Sequence, residues 1–213
     1  MVDSKIALSA LAALMILEPP PSAAETVYFP PPYPKRVASC SPSPPSGGAP
    51  VVSDFENRWY SEQLSAAAEP SLFEAAGSKA SRAGTTIRFT WLRSFDPPVI
   101  VRVEGVESRS PRLIAKQLSG AGGYKPGPIS KQIDRKLVPA EAEMLRRTLQ
   151  RTRVFDVPAL DCSMGTDGAQ WIIEGIDRTG YHFVDRWTPE QGQVRETGLA
   201  MLKLTGWTFK NVY

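Results

Sequence analysis

The sequence predicts an α+β domain, a largely antiparallel sheet of about five strands with three helices packed on one face. Three observations point there. Residues 86–118 hold three short runs of β-branched and aromatic residues, joined by links too short for a crossover, which reads as a meander. Residues 171–187 hold two more such runs around Asp177-Arg178-Thr179-Gly180, which reads as a hairpin. Stretches beginning near residues 53, 139 and 194 carry apolar residues at helical spacing.

The first 24 residues stand apart from this body. Ile6 to Leu17 is an apolar run too short to span a bilayer, and Ser22-Ala23-Ala24 supplies the small residues of a cleavage site. We read 1–24 as a signal peptide cleaved near Ala24, which makes the protein periplasmic or secreted. Residues 25–52 then form a Pro/Ser-rich disordered linker, since residues 19–50 hold eleven of the chain's 20 prolines. Cleavage removes Lys5, Asp3 and Glu18 and leaves 24 bases against 20 acids, an excess too mild to imply nucleic acid as a partner.

The single folded domain is predicted over 53–213. Ser53 and Glu56 form a capping box, and Phe55, Trp59, Leu64 and Ala67 give the first helix an apolar stripe that ends before Pro70. Thr86–Arg93 alternates, with Ile87, Phe89 and Trp91 on one side and Arg88, Thr90 and Leu92 on the other. Val99–Val103 follows the Asp96-Pro97-Pro98 turn, and Leu113–Leu118 completes the meander. Residues 119–128 are a glycine-rich loop without the spacing of a dinucleotide fingerprint or a P-loop, so no phosphate cofactor is implied. Pro139 opens a helix with Ala142, Leu145 and Leu149 on its buried stripe. The last helix runs from Val194 to Thr205 and stops at Gly206, and Trp207 and Phe209 return to the core.

The hairpin register decides where a site would lie. A three-residue loop of Arg178, Thr179 and Gly180 sets Asp177 opposite Tyr181. One face then carries Trp171, Ile173, Tyr181, Phe183 and Trp187, with Gly175 making room for Phe183. The other carries Ile172, Glu174, Ile176, His182, Val184 and Arg186. Burial of the rings leaves Glu174, His182 and Arg186 as the candidate trio, able in principle to move a proton or hold an anion. His182 is the only histidine, which excludes a multi-histidine zinc site, and no metal or cofactor is expected.

Two further features bear on function. Residues 125–153 carry eight bases and three acids, and Arg146, Arg147 and Arg151 mark a basic helix face that would suit an acidic partner or simply face solvent. Cys40 and Cys162 are the only cysteines, an even count that permits one disulfide. Val37-Ala38-Ser39-Cys40 also resembles a lipoprotein acylation box, although a proline-rich stretch separates it from the apolar run; a lipid anchor there would be the one route to a membrane.

The blocks Phe55-Glu-Asn-Arg-Trp-Tyr60 to Leu72, Trp171 to Trp187 and Leu199 to Trp207 resemble those of uncharacterised bacterial exported proteins across most of residues 53–207. That resemblance implies export and brings no activity, cofactor or partner. The expected role is an exported, non-enzymatic domain that binds an envelope or extracellular macromolecule. The competing expectation is a small hydrolase or transferase with Glu174 and His182 as its acid–base pair.

Overall fold

The computed structural model describes residues 26–29, 51–163 and 165–213, so the predicted signal peptide, most of the predicted linker and Cys40 lie outside the described residues. The fold is α+β, with six antiparallel strands rather than five. Helix α1 (Asp54–Ala66) and the single turn α2 (Leu72–Ala75) precede a meander of β1 (Thr86–Arg93), β2 (Val99–Glu104), β3 (Arg112–Leu118) and β4 (Ile129–Lys136). Helix α3 (Pro139–Thr152) leads to the hairpin of β5 (Ala169–Asp177) and β6 (Gly180–Trp187), and α4 (Gln193–Leu204) closes the chain. The sheet order is β4-β3-β2-β1-β5-β6.

The added strand is β4. Its sequence, Ile-Ser-Lys-Gln-Ile-Asp-Arg-Lys, is mostly exposed, so the apolar alternation that betrays a half-buried strand is missing. It is the outermost strand on its side of the sheet, and β3 is its one strand neighbour among the described residues.

The helices divide between the two faces, which corrects the expectation of one covered face. Ile87, Phe89, Trp91, Val101, Trp171, Ile173 and Val184 pack with Ala142 and Leu145 of α3 and Val194, Met201 and Leu202 of α4. The opposite face carries Leu92, Ile100, Leu118, Ile172 and Phe183, and it is covered by Tyr60 and Leu64 of α1 with Tyr28, Phe29, Val51 and Val52. Both ends of the predicted linker therefore enter this second core. The sheet demands this cover because Leu92, Ile100 and Ile172 project from the side that α3 and α4 leave bare.

Local signals explain the helix boundaries. Ser53 Oγ accepts from Glu56 N and the Glu56 carboxylate accepts from Ser53 N at 2.8 Å, the reciprocal cap expected at α1. Pro139 sits in the first turn of α3, and Gly206 follows α4 at φ 66°. Trp207 and Phe209 return to the core as expected, and both Trp91 and Trp171 donate their indole N–H to the Tyr213 main-chain oxygen. In the glycine-rich loop, a Cβ on Gly122 would lie 2.6 Å from Arg93 N and one on Gly120 2.0 Å from Lys125 O. Its glycines allow backbone to pack on backbone, and the Gly122 carbonyl accepts from Trp59 Nε1 on α1.

Candidate functional site

The hairpin turn is one residue tighter than expected. Asp177 pairs with Gly180, which leaves a two-residue link of Arg178 and Thr179. The cause is the Asp177 side chain, whose Oδ1 accepts from Thr179 N at 2.7 Å, Thr179 Oγ1 at 2.6 Å and Gly180 N at 3.3 Å. This carboxylate closes the turn on its own backbone and replaces the bulge. Every β6 residue shifts by one against β5, and a shift of one exchanges the faces of a strand.

The exchange breaks up the predicted trio. Glu174 pairs with Phe183 and points toward α1, while His182 pairs with Gly175 and points to the α3 side. Glu174 is fully buried and bound through both oxygens to Arg88, with Tyr181 OH donating to it at 2.7 Å. Because Glu174 and His182 lie on opposite sides of the sheet, no single substrate atom reaches both. Arg186 is also occupied, donating to the carbonyls of Ala159 and Pro158 at 3.0 and 2.7 Å and so pinning the segment before β5 against the β6 edge.

What His182 gains in place of Glu174 is a cleft. A cavity of about 400 Å³ opens between the last turns of α3, the 3-10 turn Val154–Asp156 and the hairpin tip. Val106, Leu149, Val154 and Phe155 line it with apolar surface, and Glu107, Arg146, Arg153, Asp156, Asp177 and His182 bring charge or polarity. The Phe155 ring stacks on the His182 imidazole at 4.6 Å between centroids and 14° between planes. Gly175 allows this stack, since a Cβ there would fall 2.1 Å from Phe155 Cζ. The room beside Gly175 thus serves Phe155 rather than Phe183.

The polar groups of the cleft are arranged to hold position. His182 Nε2 lies 2.9 Å from Asp177 Oδ1 and 3.0 Å from Thr179 Oγ1. Burial pushes the Asp177 carboxyl up, but hydrogen bonds from Thr179 and His182 outweigh it and keep the pKa below the usual carboxylate range. Burial likewise raises Glu107, while hydrogen bonds from the Thr85 hydroxyl and amide prevail, with Arg178 adding a smaller attraction. One imidazole nitrogen faces both Asp177 and Thr179, and the hydroxyl proton of Thr179 goes to Asp177. A nucleophile relay needs the base to take the hydroxyl proton on one nitrogen and be oriented through the other, so this trio is a turn clasp.

The predicted arginines separate in the same way. Arg146 lines the cleft, where it donates to the carbonyls of Val106 and Ser108 at 2.8 and 2.6 Å. Arg147 pairs with Glu143 and Arg151 with Glu196, both with largely exposed side chains outside the cleft. Sequence reasoning missed Phe155, Asp177, Thr179, Glu107 and Arg153. An Asp-x-Thr-Gly turn was the available signal for two of them.

Cys162 is disulfide-bonded. Among the described residues no group of three His, Cys, Asp or Glu side chains is placed to hold a metal ion, and no helix is long and apolar enough to cross a membrane. In comparisons with known proteins, the chain matches no family model and no curated protein.

Proposed function

We propose that this chain is an exported, non-enzymatic domain that binds an envelope or extracellular macromolecule through the cleft at the hairpin tip. The observation that carries the reading is the composition of that cleft. An apolar lining of Val106, Leu149 and Phe155 ringed by Arg146, Arg153, Asp156 and His182 has the makeup of a buried anchor pocket with a charged rim. The locked Asp177–Thr179–His182 clasp favours recognition over proton transfer, because its hydrogen bonds are satisfied internally.

Export is supported from two sides. Disulfides persist in oxidising compartments, and Cys162 is in one. Cleavage near Ala24 would start the mature chain just before Val27, whose N–H donates to Glu74 at 2.9 Å and so belongs to the folded body. N-terminal sequencing of protein recovered outside the cytoplasm should begin at Glu25. A photocrosslinker placed at Gln150, on the cleft wall, should capture a discrete partner that Phe155→Ser releases. Equal capture from Gln150 and from Arg151, which lies outside the cleft, would overturn the cleft as the binding surface.

A further inference from the structure

The two edges of the sheet are finished differently. Along β6, Asp185 N donates to Ala159 O at 2.7 Å and Arg186 clamps the carbonyls of Pro158 and Ala159, so the segment before β5 covers that edge around Asp185. Along β4, the backbone pairs inward with β3 from Arg112↔Lys136 to Leu118↔Ile129, and no strand or loop among the described residues bonds its outer side. The row of outward N–H and C=O groups on alternate residues of this edge strand therefore has no main-chain partner among the described residues, while the Lys136 carbonyl accepts from Arg135 Nη1 at 3.1 Å.

The side chains beside this row select what pairs with it. Asp134 is held by Arg112 and Arg135 by Glu141, whereas Lys131 and Lys136 have no carboxylate in reach among the described residues. Their register places them on opposite faces of the strand. Ile133, in phase with Lys131, packs toward the α3 core, and Lys136 alternates with it. A second copy of β4 would set this net positive strand against itself, which cross-strand repulsion opposes. The proline-rich stretch at residues 30–50 is no better an occupant, because it carries Lys35 and Arg36 and its prolines lack the N–H that a ladder requires.

We propose that β4 is a docking edge that accepts an extended, acidic segment of a partner protein as a seventh strand. Main-chain bonds supply the pairing, and Lys131 and Lys136 read acidic side chains on the two faces of the incoming strand. The lysines that keep copies of this chain apart thus also choose the partner.

The test uses the full chain and a capped eight-residue peptide of Glu-Glu-Val-Val repeated twice, which carries acids on both faces of an extended strand, followed by amide hydrogen exchange. The peptide should slow exchange across Ile129–Lys136, and the effect should weaken as salt rises. The double variant Lys131→Glu/Lys136→Glu leaves the fold intact, because neither side chain is buried. It should lose the acidic peptide by about tenfold and gain a Lys/Val peptide instead. No slowing at millimolar peptide, or slowing confined to other strands, would overturn the proposal. So would sedimentation showing a concentration-dependent dimer that protects the same amides without peptide. The cleft reading stands or falls separately, since the peptide addresses β4 alone.

Discussion

The two faces of one sheet are held by different physics. Toward α3 and α4, Phe89, Trp91, Trp171 and Ile173 are sealed with the guanidiniums of Arg93 and Arg195 over the Trp91 and Trp171 rings at 4.2 and 5.5 Å, and ring contacts such as Phe89 on Trp171 at 5.1 Å fill the layer. Toward α1, the same strands bury Arg88, Arg102, Lys116 and Glu174. Glu69, on the link between α1 and α2, joins them through Arg102 at 2.7 Å and Lys116 at 2.8 Å. An apolar layer gains by area and is indifferent to angle, whereas a buried charge is tolerable only with every partner in place. The ionic face therefore fixes position. It holds the α1–α2 link, with Ala68 forced to φ 48°, at one spot above the sheet.

The largest expected effect tests that difference directly. Glu174→Ala strips the fully buried Arg88 of its bidentate partner, leaving the Glu69 carboxylate at 3.8 Å as its remaining counter-charge, and should cost about 3–5 kcal/mol in urea unfolding. The double variant Arg88→Met/Glu174→Leu should recover most of the loss. On the apolar face Trp171→Ala should cost a similar about 3–5 kcal/mol, because it leaves a cavity rather than a stranded charge. Equal losses in the single and double ionic variants would show that shape, not pairing, holds the α1 face.

Asp185 sharpens the comparison through pH. Burial pushes its carboxyl up to about 7 although Gln170 and Tyr60 donate to it at 2.7 and 2.8 Å; the Glu56 charge adds to the rise and Arg186 opposes it. The folded state thus keeps a proton that the unfolded chain releases near the ordinary value of 3.8. The stability this contributes is fully present below that value and is lost as pH rises through about 7. At about 1.4 kcal/mol per pH unit the total loss is at most on the order of 4–5 kcal/mol. Denaturation midpoints should fall between pH 4 and pH 7 in the native chain, and Asp185→Asn should flatten that slope. A slope unchanged in the variant would assign the titration elsewhere.

How far the sequence reads depends on the same division. The apolar face was legible because Ile87, Phe89 and Trp91 alternate cleanly, and every strand on that face except β4 follows from such runs. β4 escaped because an exposed edge strand carries no apolar period. The alternation of β1 also put Arg88 and Thr90 on the other side, but a polar face reads as a wet one, and nothing in the spacing tells that Glu69, distant in sequence, completes a buried cluster. The site was misplaced by a single side chain. Asp177 caps its own turn, the loop shortens by one, and His182 changes face and meets Phe155 across Gly175. Gly175→Ala should displace that ring and cost about 1–3 kcal/mol. The His182 ring protons should lose their stacking shift in NMR, a change that simple loosening elsewhere would not produce.

The smallest effect belongs to the residues that looked most functional by composition. Arg147 and Arg151 carry their charges in solvent, paired with Glu143 and Glu196, so each pair exchanges hydration for a weak contact and contributes little. Arg147→Ala and Arg151→Ala should each move stability by no more than about 0.5 kcal/mol and leave the midpoint nearly independent of salt. Arg146→Ala, one helical step away, should cost more. Its guanidinium donates to two loop carbonyls, Val106 and Ser108, and its loss unties the wall of the cleft. Three arginines on one helix would then separate by what each guanidinium bonds and not by charge, as the two sheet faces do. Equal losses from all three would mean that net charge on α3 governs its stability, and the contrast between buried and solvated ions would not extend to this helix.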